Sequence, residues 1–251
     1  MDQCPVYDTI GRTYAANRRP DVRLFSLLLA ALGDARTVVN VGAGTGNYEP
    51  TDRFVVAVEP SKVMIDQRPD GSASVVRAYA EALPFRDGVF DAALATSTLH
   101  HWQDIRLGLS ELVRVASRRV VYFSERLLPG SSWLGDEYLP EIYDMAINRN
   151  APNAAEVCGM LGGRVEVYEF PVPRDFSEAS AGANWANPER YCDPAVQGAL
   201  SMFALLDQRI VARATQQLRA DLASGAWDER YGHLRTQDTY DLGYRIVVSN
   251  A

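Results

Sequence analysis

Thr37-Val38-Val39-Asn40-Val41-Gly42-Ala43-Gly44-Thr45-Gly46 begins as a run of β-branched and apolar residues and ends in three glycines separated by single residues. Such a run, broken only by Asn40, is a strand buried on both faces of a parallel sheet. The glycines put unusual backbone freedom at the strand's carboxyl end, the crevice where open α/β sheets hold nucleosides and dinucleotides. A second strand, Phe54–Val58, stops at Glu59. A carboxylate at that strand tip is placed to accept hydrogen bonds from both hydroxyls of a ribose.

Upstream, Phe25, Leu28, Leu29 and Leu32 recur at helical spacing, so Pro20–Leu32 is expected to be an amphipathic helix, with Pro20 in its first turn and Gly33 at its end. Downstream, Ser61 can cap a short helix bearing Val63, Met64 and Ile65, while 73–77 and 90–95 are further strands. Asp104 caps a helix carrying Ile105, Leu109, Leu112, Val113 and Ala116, and 118–124 is a fifth strand. Strands that alternate with helices in this way predict a doubly wound, mostly parallel α/β sheet. Beyond it the pattern predicts a helix over 134–149, a sixth strand over 164–171 and a seventh over 240–248. Residues 175–238, between the last two strands, carry the helical stripes Val196, Leu200, Phe203, Ala204 and Ile210, Ala214, Gln217, Leu218. They are expected to cap the site. The chain, 1–251, is then one domain: an N-terminal arm and helix (1–34), a cofactor-binding core (35–174), a helical cap (175–238) and a final strand (239–251).

Composition narrows the function classes. The 251 residues are 47% hydrophobic and 23% charged, which is ordinary for a folded globular chain. The net charge is -7 with both signs interspersed, so there is no basic surface for a phosphate backbone and nucleic acid is not the expected partner. The longest apolar run, near Leu27 to Leu32, is too short to span a bilayer, and a cytoplasmic location is expected, with no membrane partner. Cys4, Cys158 and Cys192 have neither disulfide nor zinc spacing, and His100, His101 and His233 form no H-E-x-x-H, so no metal is expected.

A nicotinamide-dependent oxidoreductase would share the strand, glycine loop and acidic strand tip. Its fingerprint is G-x-G-x-x-G, however, and here the third glycine follows after one residue, with Asn47 in the later place. The short gap from Gly46 to Phe54 also shortens the helix whose N-terminus would hold a diphosphate.

In order along the chain, Asn40 to Gly46, Glu59-Pro60-Ser61, Ala80-Glu81-Ala82-Leu83-Pro84-Phe85, Phe90-Asp91 and Leu99-His100-His101-Trp102 resemble the successive motifs of class I S-adenosylmethionine-dependent methyltransferases. The chain is similar to the quinone-biosynthesis-type subgroup, type 11, over about residues 35 to 124. The resemblance implies a Rossmann-like, seven-stranded sheet with an antiparallel last strand, S-adenosylmethionine as cofactor, and methyl transfer to a small organic acceptor. It implies that Gly42, Ala43 and Gly44 line the methionine portion, Glu59 the ribose, and Pro60 and Met64 the adenine edge. Ala80 and Glu81 then lie near the adenine ring and Thr96 beneath the sulfonium. Three positions depart from the family pattern: Asn40 where an acid is usual, Tyr79 where Asp is frequent, and Ala116-Ser117-Arg118-Arg119 in place of a glycine-rich turn.

A sulfonium is an activated leaving group, so the protein mainly has to align acceptor, methyl and sulfur, with a base needed only if the acceptor carries a proton. His101, and after it His100, are the expected bases, because they follow the fourth strand where an acceptor approaches. Tyr14, with Tyr7, Arg18 and Arg19, could fold over the cofactor. Trp102, Tyr138 and Trp185, among other aromatics, suit an apolar or planar small molecule. The acceptor atom stays open among oxygen, nitrogen and carbon, the chain is expected to be a monomer or homodimer, and use of the bound cofactor for a cyclisation is a second alternative.

Overall fold

The structure, a computed structural model, describes residue 8 and residues 20–178, 180 and 182–251. Its centre is β1 (Thr37–Val41), where Val38, Val39 and Val41 are all inaccessible to solvent because layers cover both faces of the sheet. β2 (Phe54–Val58) and β3 (Ser74–Val76) extend the sheet on one side of β1; β4 (Phe90–Thr96) and β5 (Ala116–Ser124) extend it on the other, all parallel. β9 (Tyr244–Asn250) pairs antiparallel with β5 and with β6 (Arg164–Glu169), giving the order β3-β2-β1-β4-β5-β9-β6. The strand order reverses between β1 and β4, which opens a crevice above their carboxyl ends.

Side chains alternate across the strands and sort the core into two layers. On one face Val38, Ala92, Leu94, Val120 and Ile246 pack under α1 (Val22–Leu32), whose Leu24, Leu28 and Leu32 are wholly buried. Each of those leucines contributes roughly 2 kcal/mol by leaving water. On the other face Val39, Ala93, Val121 and Val247 meet the helix Ile105–Val115, which buries Leu109 and Leu112, and the helix Ala154–Leu161.

The first of these layers continues into a helical cap. Val172–Pro173 (β7) pairs with Thr239–Tyr240 (β8), so the stretch between them leaves and rejoins the sheet at one stem. Within it, Gln208–Ser224 buries Val211, Ala214 and Leu218 as one stripe, and the following helix Ala226–Tyr231 buries Trp227. Trp133, from the connection after β5, inserts among Tyr138, Tyr191 and Trp227 with ring centroids 5.9, 5.7 and 5.3 Å away. These edge-on contacts make an aromatic core shared by two distant stretches of chain.

Several boundaries differ from the sequence reading. The first helix starts at Val22, because Asp21 rather than Pro20 takes the N-cap and accepts from Arg23 N. The region 134–149 is not one helix: a π turn (Leu134–Tyr138) and a 3-10 turn (Pro140–Asp144) precede a short α-helix (Ala146–Arg149). Pro140 cannot donate and crowds the residue before it, leaving Leu139 at φ -132, ψ 55. The stripe Val196 to Ala204 is likewise split, because Leu200 is extended between Pro194–Ala199 and Ser201–Leu205. The fifth strand begins at Ala116, directly after a helix that ends at Val115. There the buried Arg119 donates to Ser249 Oγ at 2.6 Å and to Ser117 O at 2.8 Å, pinning the sheet where a glycine turn was missing. The sixth strand ends at Glu169 and the last runs 244–250, because 172–173 and 239–240 pair with each other instead.

Candidate cofactor and acceptor site

The glycine loop turns back over the end of β2: Gly42 N and Ala43 N both donate to Val58 O, at 2.9 and 3.0 Å, and Gly46 N closes on Ala43 O at 3.0 Å. Gly42, Gly44 and Gly46 have φ of 71°, 52° and 94°, the left-handed region in which a side chain is strained. At Gly42 space also forbids one, since a Cβ would lie 2.0 Å from Thr98 Oγ1. A Cβ on Gly44 would come 3.3 Å from Met64 Cε, so Met64, nearly fully buried, packs against the loop.

Glu59 is 6% exposed and its two oxygens serve the backbone around it: Oε2 accepts from Gly44 N and Oε1 from Ser61 N, each at 2.8 Å. Burial pushes this carboxyl above its ordinary value, partly offset by those two N–H bonds and by the charge of Arg68. Pro60 is half-buried, and its carbonyl accepts from Arg77 Nε at 3.0 Å. Ser61 Oγ donates to Asp8, the one described residue of the first nineteen; Tyr14, with Tyr7, Arg18 and Arg19, lies outside the described residues.

Asn40, fully buried at the end of β1, donates from Nδ2 to Glu49 Oε1 at 3.2 Å, while its Oδ1 has no partner among the described residues. Glu49 is held in turn by a buried ion pair with Arg68 at 2.7 Å, and Arg68 Nη1 reaches Gly44 O at 3.2 Å. Sequence reasoning missed both residues. Neither belongs to a periodic pattern, and only the fold of the loop brings them beneath the glycines.

The turn after β4 joins the crevice to a second site. Thr96 ends the strand, Ser97 has φ 51°, and Thr98 accepts from Trp102 Nε1 at 3.1 Å while abutting Gly42. Trp102 is 7% exposed and its ring lies 2.4 Å from where a Cβ on Gly108 would be, so it is walled in by the helix beside it. Ala80 is buried, and Glu81 Oε1 accepts from Gln103 N at 2.7 Å and Asp104 N at 3.2 Å, fastening this turn.

Beyond the turn a cavity of about 130 Å³ is lined by Ser97, His100, Glu125, Glu178, Met202 and Tyr244 among others. His100 faces it; His101, the first choice from sequence, is not part of its wall and lies with its ring centroid 4.0 Å from that of His100. Glu125 accepts from Ala154 N at 2.8 Å and pairs with Arg245 at 3.1 Å. Glu178, in the cap and buried, accepts from Tyr48 Oη at 2.6 Å. Tyr48 also accepts from Asp21 N at 3.0 Å, tying the segment after the glycine loop, the first helix and the cap together. Glu178 was not legible in sequence, because nothing in its neighbourhood signals an inward-facing acid.

Tyr138 and Trp185 do not line that cavity. Tyr138 Oη donates to Asp221 at 2.7 Å, and Trp185 donates to Val172 O at 3.1 Å while stacking on Tyr240 at 5.4 Å. Both hold the cap together. No group of His, Cys, Asp and Glu able to hold a metal occurs among the described residues, and no described helix is long and apolar enough to cross a membrane.

Sheet order, glycine loop and acidic strand tip define a Rossmann-like protein built around a nucleoside-bearing cofactor. Residues 39–123 match the family model of the methyltransferase domain. A solved structure from Anabaena variabilis, described as a candidate methyltransferase from an antibiotic biosynthesis pathway, is 30% identical, with a TM-score of 0.86 over 94% of this chain and 99% of that one. The ubiquinone/menaquinone biosynthesis C-methyltransferase of a Geobacter species is 29% identical over 44% of this chain and 54% of its own length. A tRNA (carboxymethyluridine(34)-5-O)-methyltransferase of Xenopus tropicalis is 29% identical over 44% of this chain and 18% of its own. The chain thus spans about half the length of one of these curated relatives and less than a fifth of the other. It belongs to the class I S-adenosylmethionine-dependent methyltransferases of the type 11 group.

The residues present fit that family's cofactor. A buried carboxylate at the strand tip, with both oxygens held in place by backbone N–H groups, suits a ribose diol. The orphaned Asn40 Oδ1 is a buried acceptor that an ammonium could satisfy. Bare backbone at Gly44, where Met64 Cε is the one atom within 4 Å of an added Cβ, leaves room for close approach, whereas the place of a side chain on Gly42 is taken by Thr98. By contrast, Gly46 to Phe54 forms turns and no helix, so the N-terminal dipole that a dinucleotide's diphosphate needs is missing from that place.

Proposed function

We propose that this chain transfers the methyl group of S-adenosylmethionine to a small organic acceptor held in the cavity beside His100. The observation that carries this reading is the position of the Thr96 to His101 turn between two sites. On one side Thr98 touches Gly42; on the other His100 lines the cavity.

When bound, the cofactor supplies a methyl group on a sulfonium, already activated for displacement. Glu59 then holds the ribose, Asn40 Oδ1 accepts from the ammonium, Gly42, Ala43 and Gly44 bring backbone against the methionine portion, and Pro60 and Met64 border the adenine. Ala80, Glu81 and Thr96 keep the adenine and sulfonium ends of the crevice in shape, Glu81 through the backbone it fastens. His100 is the group placed to take a proton from an acceptor at an imidazole nitrogen, and His101 packs against it. The cap adds Glu178, Ser180, Ser201 and Met202 to the wall of that cavity.

Relatives differ in what their names say they methylate, a C-methyltransferase of quinone biosynthesis and an O-methyltransferase of tRNA, so the acceptor is argued from this chain's own cavity. Calorimetric titration with S-adenosylhomocysteine is the first test, with micromolar or tighter binding expected and none by NADH. Incubation with S-adenosylmethionine and metabolite mixtures, read by mass spectrometry, is expected to yield a product heavier by one methylene. Binding of NADH without binding of S-adenosylhomocysteine would reject the proposal.

A further inference from the structure

We infer that Glu49 is a positioning residue for the cofactor: it holds the Asn40 amide with its oxygen toward the cofactor's ammonium and keeps Arg68 from claiming that oxygen. This rests on the methyl-transfer reading above. Asn40 is wholly buried near the carboxyl end of β1, two residues before Gly42. A buried amide turned the wrong way would present its NH2 donors to a cation. Glu49 decides which way it faces, because its Oε1 takes Asn40 Nδ2 at 3.2 Å. A carboxylate only accepts, so the NH2 group faces Glu49, and Oδ1 is turned away from it and has no partner among the described residues.

Glu49 is itself held from the far side. Arg68 Nη2 donates to both of its oxygens, at 2.9 and 2.7 Å, and the side chains of Arg68 and Glu49 are 5% and 8% exposed. The same guanidinium donates to Gly44 O and to Ala73 O, each at 3.2 Å, which anchors the pair to the glycine loop and to the residue before β3. Asn40 Nδ2 and Arg68 Nη2 thus bond one and the same Oε1, so amide and guanidinium are a single oxygen apart. With Glu49 between them, both donors meet an acceptor. Without it, Arg68 is a buried cation short of a counter-charge, and a half-turn of the amide offers it Oδ1.

The residue type at position 40 fits this role. An acid there would set two carboxylates about 3.2 Å apart, and each would disfavour the charge of the other. An amide faces the acid with its NH2 group and a cation with its oxygen. The Glu49 charge also polarises the amide in the direction that strengthens the second bond.

The test is calorimetric titration of the full chain with S-adenosylhomocysteine and with its desamino analogue, in which hydrogen replaces the α-amino group, so that any loss common to both ligands cancels in their ratio. The unmodified chain is expected to bind S-adenosylhomocysteine at least about tenfold more tightly than the analogue. Glu49→Leu is expected to shrink that ratio at least about fivefold, because Arg68 then draws Oδ1 away. Arg68→Leu leaves the carboxylate facing Nδ2 and removes the cation, and is expected to keep or raise the ratio. An unchanged ratio in Glu49→Leu, or a fall in Arg68→Leu as large as that in Glu49→Leu, overturns the assignment, since an ion pair that only supports the loop would not separate the two variants. If Glu49→Leu fails to fold, a ratio that collapses in Arg68→Leu overturns it and one that is kept or raised supports it. If neither variant folds, the unmodified chain decides, and equal binding of the two ligands overturns the assignment while methyl transfer stands. Failure of S-adenosylhomocysteine itself to bind the unmodified chain would remove the methyl-transfer reading first.

Discussion

The glycine crevice draws its contacts from residues 40 to 68 and from the turn after β4, whereas the cavity behind that turn gathers His100, Glu125, Glu178, Met202 and Tyr244 from widely separated stretches. The first site is made largely of backbone: N–H groups of Gly44 and Ser61, positive-φ glycines, and a carboxylate positioned by them. The second is lined mainly by residues at the sheet ends and after β5, with Glu178, Ser180, Ser201 and Met202 delivered by a cap that packs on an aromatic core. A backbone site keeps its residue spacing, because adjacent strand ends and their turns build it. A side-chain site needs only that its parts arrive together, so its residues can come from anywhere in the chain.

That contrast can be broken most forcefully at Gly42. Gly42→Ala puts a Cβ 2.0 Å from Thr98 Oγ1 at a φ of 71°. It is expected to destabilise the fold by about 3 kcal/mol and to abolish S-adenosylhomocysteine binding. Thermal unfolding and calorimetry check both, and a variant that binds normally would show that the loop does not need bare backbone.

Glu59→Ala is expected next, with cofactor affinity reduced about 100-fold or more by loss of charge-assisted hydrogen bonds to the ribose. On the other side of the turn, His100→Gln is expected to lower kcat about 100-fold and leave S-adenosylhomocysteine affinity unchanged, with a smaller effect for His101→Gln. Equal losses in the two histidine variants would argue that the pair acts by packing.

Acidification is expected to act on the crevice through Glu59. Burial raises the Glu59 carboxyl above its ordinary value, so its proton returns earlier than usual as the pH falls. Ribose hydroxyls need the ionised form as acceptor, and S-adenosylhomocysteine affinity is expected to weaken on titration from neutral toward that raised value. Without ligand the sign is opposite: a raised folded-state pKa favours the folded chain at lower pH, and that contribution fades as the pH rises through it. Affinity that is flat down to the ordinary carboxylate range would place the ionised Glu59 away from the ligand.

The smallest effect is expected in the cap. Tyr138→Phe removes the bond to Asp221 and is expected to cost about 1 kcal/mol of stability, read by thermal unfolding, with no change in cofactor affinity. A loss of cofactor affinity would mean that the cap and the crevice are energetically one unit.

The parallel core was legible because each strand is a short apolar run bounded by a loop signal, and β1, β2 and β4 all occur where their composition put them. Glu59 was legible for the same reason: it is the first polar residue after a buried strand. A 3-10 turn, not visible in composition, sets which of the two adjacent imidazoles lines the cavity: His100 does and His101 does not. Trp102, Tyr138 and Trp185 looked like acceptor walls because aromatic residues serve cores and pockets alike. They lie outside the cavity wall and hydrogen-bond to Thr98, Asp221 and Val172.

Local spacing along the chain was therefore sufficient for the doubly wound sheet, the glycine loop and its acid, because hydrogen bonding and burial there depend on residues close in sequence. The Asn40, Glu49 and Arg68 cluster needed the loop after β1 to fold beneath the glycines, and the Tyr48 to Glu178 bond and the cavity wall needed the cap to dock. Long-range packing brought those groups together, and no periodicity encodes a contact between residues 130 positions apart.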